Sequence, residues 1–324
     1  MTERENFIAM LNGEPAEFTP CNSLFNTNCG GLVFAIDGYH PGPDGFGVNW
    51  VGTVDGCLPE PGNFRFTADD IENWRDYVTF PDVDALPVEQ IYEMDKPFID
   101  RENKIVTLTV CTGPFERLVS FMGFEEALIA LVESPEACKD FVEAFTDFRI
   151  KELEKAIPIY QPDMIMEADD IAASLNLFMS PETWREVFKP GKKRLGEFIR
   201  ANNIIFGAHI CGRIKDIIPD LVEIGLQYWN SAQKQNDLPE IMTKYPKLIV
   251  DGGWDSSGPA GRPDATKEVI LAEGERCMRE YGKFNNFILF PLIFDDQGQV
   301  GFFREPDDRL LALWDYWVKN GRKH

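Results

Sequence analysis

Hydrophobic positions in this chain follow two rhythms. Short β-branched runs recur: Lys104–Val110, Met164–Met166, Ile204–Phe206, Leu226–Trp229, Leu248–Val250 and Phe287–Phe290. Each is the length of a buried strand. Stretches with helical spacing lie between and after them. Ile214, Ile217, Ile218, Leu221 and Val222 make one stripe; Leu310, Leu313, Trp314, Trp317 and Val318 make another. Further helices are expected over 115–133 and from about 266 to 281. Start signals sharpen the reading. Thr2 and Glu5 form a capping box before Phe7, Ile8 and Leu11, with Gly13 as the stop. Ser134-Pro135-Glu136 and Ser180-Pro181-Glu182 each place serine as N-cap and proline at the first helical position. Pro190 is expected to break or kink the helix that Ser180 opens.

Strands alternating with helices predict a parallel α/β sheet. With this many units the expectation is one (β/α)8 TIM barrel spanning residues 1–324 as a single domain. Residues from about 22 to 100 break the rhythm, with Gly30-Gly31, Pro41-Gly42-Pro43 and Pro59 to Gly62. So long an irregular segment implies a task. It is read as an N-terminal capping segment, partly a cap over the barrel mouth, holding the first strand and a hairpin.

At 324 residues and 44% hydrophobic content the chain can bury a full core. Its 54 acidic against 32 basic residues give a formal net charge of −22. Such a surface repels nucleic acid and anionic membrane. No apolar run approaches the roughly 20 residues of a membrane span, and no secretory pattern opens the chain. Seven scattered cysteines without a CxxC pair suit free thiols in a reducing compartment. A cytoplasmic protein is expected, and a homo-oligomer is compatible with it.

In a barrel the chemistry sits where strands end at their carboxyl side. Four clusters stand there: Cys111 to Phe115, Glu167-Ala168-Asp169-Asp170, His209-Ile210-Cys211-Gly212, and Asp251 to Asp255. His209 and Cys211 are two apart, so both side chains can face one side of a strand. Imidazole and thiolate are zinc ligands. Spacing by itself rather favours a hydrogen-bonding histidine and a small packed thiol, although the chain has only three histidines, one of them His324. Glu167, Asp169 and Asp170 can bind metal or exchange protons, or simply favour a helix N-terminus. Trp254 can stack on a ligand or close the barrel. Cys111 is read as a packed thiol.

Taken in order, Glu3-Arg4-Glu5 to Gly13-Glu14-Pro15, Gly113-Pro114-Phe115, Glu167 to Asp170, Met179-Ser180-Pro181-Glu182 and His209-Ile210-Cys211-Gly212 resemble the uroporphyrinogen decarboxylase superfamily. The resemblance covers nearly the whole chain and implies a (β/α)8 barrel. Its decarboxylases grip a polycarboxylate tetrapyrrole with arginines near the N-terminus. Here no arginine lies between Arg4 and Arg65, which argues against decarboxylation.

The corrinoid-dependent methyltransferase branch is the better match. Its thiol-methylating members carry His-x-Cys plus a cysteine near the last strand, where this chain has Phe290-Pro291-Leu292. The resemblance therefore points to the O-demethylase type. Such an enzyme uses Zn2+ to move a methyl group from a methoxylated, aromatic substrate to the Co(I) corrinoid (cobalamin) of a partner protein. It implies Glu167, His209 and Cys211 as metal ligands, Asp169 and Asp170 as catalytic carboxylates, and Phe115, Trp254 and Phe290 as substrate walls. Transfer from a methylated corrinoid protein to a thiol, and a metal-free barrel that binds a corrinoid or tetrapyrrole, are the alternatives.

Overall fold

The computed structural model describes residues 1–53, 56–301 and 305–322; His324 lies outside them. The chain divides into two compact units. One holds Asn28–Ile99 and Val106–Leu226; the other holds Met1–Thr27, Asp100–Ile105 and Gln227–His324.

The first unit is built on three parallel strands, β1 (Ile105–Val110), β2 (Met164–Ala168) and β3 (Ile205–His209). All six residues of β1 are buried, as a strand covered on both faces requires. Register places Val110 opposite Glu167, and Ala168 opposite His209, so the carboxyl ends lie level. Helices Pro114–Met122, Phe124–Glu133 and Pro135–Tyr160 lead from β1 to β2. Pro181–Val187 and Lys189–Ala201 lead from β2 to β3. The Ser180 hydroxyl accepts the Thr183 N–H at 3.0 Å, the expected cap. Ser134 makes no such bond, and the helix behind it starts on Pro135 alone. Pro190 opens a new helix after a break at Phe188.

The segment 28–99 is a folded part of this unit. It carries a three-stranded antiparallel sheet (Gly42–Pro43, Asn49–Thr53, Gly56–Pro59) and a helix, Val88–Asp95. Phe46 seals it, meeting Phe80, Phe121, Phe145 and Phe148 at ring distances of 5.2 to 6.1 Å. Burying such a ring contributes about 1.5–3 kcal/mol. Charge reinforces the seal: Arg149 forks onto both Asp37 oxygens at 3.0 and 3.1 Å, wholly out of solvent. Burial pushes the Asp37 carboxyl up to about 7 against the pull of Arg149 and Arg117. Val33 and Tyr39 pack on Cys111 and Ala168, so this segment covers the carboxyl ends of β1 and β2.

The second unit has β4 (Tyr228–Ala232), β5 (Ile249–Gly253) and β6 (Phe287–Phe290), again parallel. A bulge interrupts β4 at Ser231, whose φ is +61°. Helix Lys267–Tyr281 packs on Asp308–Asn320, and an added Cβ on Gly274 would press into Leu313. Asp307 caps the latter helix through the Arg309 and Leu310 N–H groups. The N-terminal helix, Glu3–Leu11, has the expected Thr2–Glu5 capping box. Its buried face is Asn6, Phe7 and Met10 rather than Ile8 and Leu11. Asn6 explains the rotation: it is fully buried, accepts from Glu17 N–H at 2.8 Å and donates to the Phe18 carbonyl at 2.9 Å.

Each unit is thus an α/β assembly with parallel strands in chain order. With the short strand Asn26–Cys29, these strands number seven among the described residues, against the eight of the barrel read from the sequence. Among the described residues no helix is long and apolar enough to cross a membrane.

Candidate metal centre

The site grows from the carboxyl ends of β1, β2 and β3, which two backbone bonds tie together beyond the regular ladder. Gly113 N–H donates to Ala168 O at 2.6 Å, and Asp169 N–H to His209 O at 3.1 Å. Past β3, Ile210 turns inward and is fully buried, leaving His209 and Cys211 on the other side. His209 Nε2 and Cys211 Sγ lie 3.4 Å apart. Gly212 then takes φ +80°, where any Cβ would strike the Ala172 carbonyl, and the chain turns away immediately after the thiol.

Asp170 is the third member. Its Oδ1 accepts the Cys211 N–H at 2.8 Å. The ligating atoms of Asp170, His209 and Cys211 all lie within 4.8 Å of one another, each residue half-buried. One imidazole, one thiol and one carboxylate form a donor set of borderline softness that suits zinc.

The other expected site residues lie differently. Glu167 is buried in an ion pair with Lys192, which reaches in from helix Lys189–Ala201. An ammonium already neutralises it, and Asp170 rather than Glu167 stands with the His–Cys pair. Asp169 sits at the start of helix Pro114–Met122 and accepts from Phe115 N–H at 3.4 Å and Glu116 N–H at 3.0 Å. Burial pushes its carboxyl up to about 7; Lys192 draws it down and Glu167 pushes it up again. It anchors a helix rather than facing a ligand, leaving Asp170 beside the His–Cys pair. Phe115 is only 1% exposed and packs against Phe178, Phe188 and Phe124, so it is core and not a substrate wall. Trp254 (2% exposed) and the half-buried Phe290 belong to the second unit, at the ends of β5 and β6. Cys111 is the packed thiol expected, buried with Val33 and Ala168.

Two residues escape a reading of the sequence. Glu116, half-buried, has its carboxyl pushed well above the usual range by burial, then by the charges of Asp170 and Asp169. Its place directly after Gly113-Pro114-Phe115, at a strand end, was the available signal. Tyr39 donates its hydroxyl to Glu116 Oε1 at 3.2 Å. Nothing in the Gly- and Pro-rich segment around Tyr39 marked it.

An α/β protein with a histidine, a cysteine and an aspartate gathered at the carboxyl ends of parallel strands is the class that fold and site define. The chain belongs to the uroporphyrinogen decarboxylase (URO-D) family, whose model matches residues 43–291. Members of that family are generally enzymes. No curated protein gives a match. Among solved structures, Dispersin B is 11% identical, covering 72% of this chain and 76% of its own, with a TM-score of 0.40. D-psicose 3-epimerase with D-tagatose from Clostridium cellulolyticum H10 is 10% identical, covering 73% and 84%, with a TM-score of 0.39. Likenesses this slight carry no argument.

Proposed function

We propose that this chain is a zinc-dependent methyltransferase that takes a methyl group from a methoxylated, aromatic substrate and passes it to the Co(I) corrinoid of a partner protein. The whole chain forming one (β/α)8 barrel is part of this reading. The observation that carries it is the convergence of Asp170, His209 and Cys211 within 4.8 Å. Three protein ligands leave a position open for substrate, the pattern of catalytic rather than structural zinc sites. Bound there, zinc would supply Lewis-acid polarisation of the ether oxygen. His209 and Cys211 would hold it from one face of β3, with Asp170 oriented by the Cys211 N–H.

Decarboxylation of a polycarboxylate finds little support. Such a substrate needs cations, and Arg117 and Arg149 are fully buried and already engaged with Asp37, Asp44 and Glu152.

Elemental analysis of chain purified without chelator tests the reading. About one zinc per chain is expected. His209→Ala, Cys211→Ala and Asp170→Ala should each lower zinc content and abolish methyl transfer from methoxyarenes to a reduced corrinoid protein, with circular dichroism unchanged. Wild-type chain that stays metal-free after zinc reconstitution removes the proposal.

A further inference from the structure

One buried cluster in the first unit does not balance its charges. Asp37, Asp44 and Glu152 meet Arg117 and Arg149, three acids against two bases, and none of these side chains is more than 1% exposed. Asp44 is the settled member. Its Oδ1 accepts the Phe46 and Val48 N–H groups at 2.9 and 2.8 Å. Its Oδ2 accepts from Trp50 Nε1 at 3.0 Å and from Arg117 Nη1 at 2.6 Å. Arg149 is left between two acids. It forks onto Asp37 and also bonds Glu152 Oε2, while Glu152 Oε1 is buried with no hydrogen-bond partner among the described residues. An uncompensated buried charge is so costly that the group takes up a proton instead. With all five groups ionised the cluster would carry one such negative charge, so it holds on to one proton.

The same groups tie separate pieces of chain together. Asp37 and Asp44 lie on the covering segment, Arg117 on helix Pro114–Met122, and Arg149 and Glu152 on helix Pro135–Tyr160. Arg149 Nη2 also donates to the Cys111 and Thr112 carbonyls, each at 3.2 Å, directly after β1. Arg117 Nη2 donates to the Asp37 carbonyl at 3.1 Å. Two further titratable groups lie nearby and leave the count unchanged. The Cys111 thiol is pushed well above its usual range, first by burial and then by the charge of Asp37. His40 is turned to the Pro41 carbonyl, 3.0 Å from its Nδ1.

From this arrangement we propose that the cluster is an acid-tightened latch: with its proton bound it clips residues 37–44 to the carboxyl end of β1, and losing that proton loosens the segment that covers the strand ends. The inference needs neither metal nor substrate and stands apart from the demethylation reading. Asp37 sets the working range. Burial pushes its carboxyl from 3.8 up to about 7, Arg149 draws it down, Glu152 pushes it up and Arg117 draws it down again. Between those values the closed latch keeps a proton that the opened segment releases to water. Opening therefore becomes easier as pH rises towards 7, and the dependence ends above it.

The test is amide hydrogen exchange on the full chain at pH 5, 6, 7 and 8, corrected for intrinsic exchange rates. Gly45 N–H, bonded to Ile36 O at 2.9 Å across the segment, is the reporter. Wild type should lose about tenfold in protection per pH unit from 5 to 7 and level off by 8. Glu152→Gln keeps an acceptor for Arg149, balances the charges and should remove that slope. Asp37→Asn deletes the titrating acid and should remove it too, which decides the matter if the first variant does not fold. Acids elsewhere, such as Glu3, titrate alike in all three proteins and drop out of the comparison. Wild-type protection that does not fall between pH 5 and 7, or a slope that survives in either folded variant, overturns the inference.

Discussion

At the scale of single residues, the site depends on which of several adjacent carboxylates reaches the His–Cys pair. Glu167, Asp169 and Asp170 lie within four positions yet take three roles: ion pair, helix anchor and candidate ligand. The sequence shows the cluster and cannot divide it, because the deciding partners are distant. Lys192 is 25 positions from Glu167, and Tyr39 is 77 from Glu116. The His209–Cys211 pair was legible because strand alternation alone puts both side chains on one side. Gly113 offers a sharp check. Its φ of −70° suits any residue, but an added Cβ would run into Asp169. Gly113→Ala should therefore destabilise the chain by about 1–3 kcal/mol, the usual cost of overpacking. If Asp170 holds zinc as proposed, the substitution should also weaken that binding by displacing the neighbour of Asp170. An unchanged denaturant midpoint would show that the strand ends yield more easily than their backbone ties suggest.

At the scale of elements, the parallel strands were readable because a strand covered on both faces must be a short run of apolar residues, and β1 is one from end to end. What pins segment 28–99 in place was not, because its anchors are tertiary: Phe46 reaches rings at 121, 145 and 148. The N-terminal helix was placed correctly but turned wrongly, since the periodicity of Phe7, Ile8 and Leu11 gave no hint that polar Asn6 would be buried. That helix makes a prediction about pH. Burial pushes the Glu3 carboxyl up from 4.5 to about 7, with Lys104 drawing it partly back. Between those values the folded chain keeps a proton that the unfolded chain has lost, so stability falls as pH rises through the window. Glu3→Gln removes the titration. Relative to wild type, its melting temperature should gain steadily from pH 4.5 to 7 and level off above. A constant offset at every pH would mean that Glu3 titrates normally.

At the scale of the whole molecule, a net charge of −22 acts against the compact state through self-repulsion. Salt should relieve it. Raising sodium chloride from 0.01 to 0.1 M shortens the screening length from ~30 to ~10 Å, and the thermal midpoint should rise. A falling midpoint would indicate that specific ion pairs outweigh the general repulsion. The division into two units has a different consequence, one of timing. The second unit takes its first 27 residues from one end of the chain and its last 98 from the other. Thr19 waits for Gly321 and Trp317, and Ala16 for Asn285, 269 positions away. At a synthesis rate of about 5–20 residues per second, the roughly 200 residues between these pieces take about 10–40 s to emerge. For that interval the first helix is made but has no unit to join. The nascent chain must carry Phe7 and Met10 uncovered, and this stretch is where a holding chaperone would engage it.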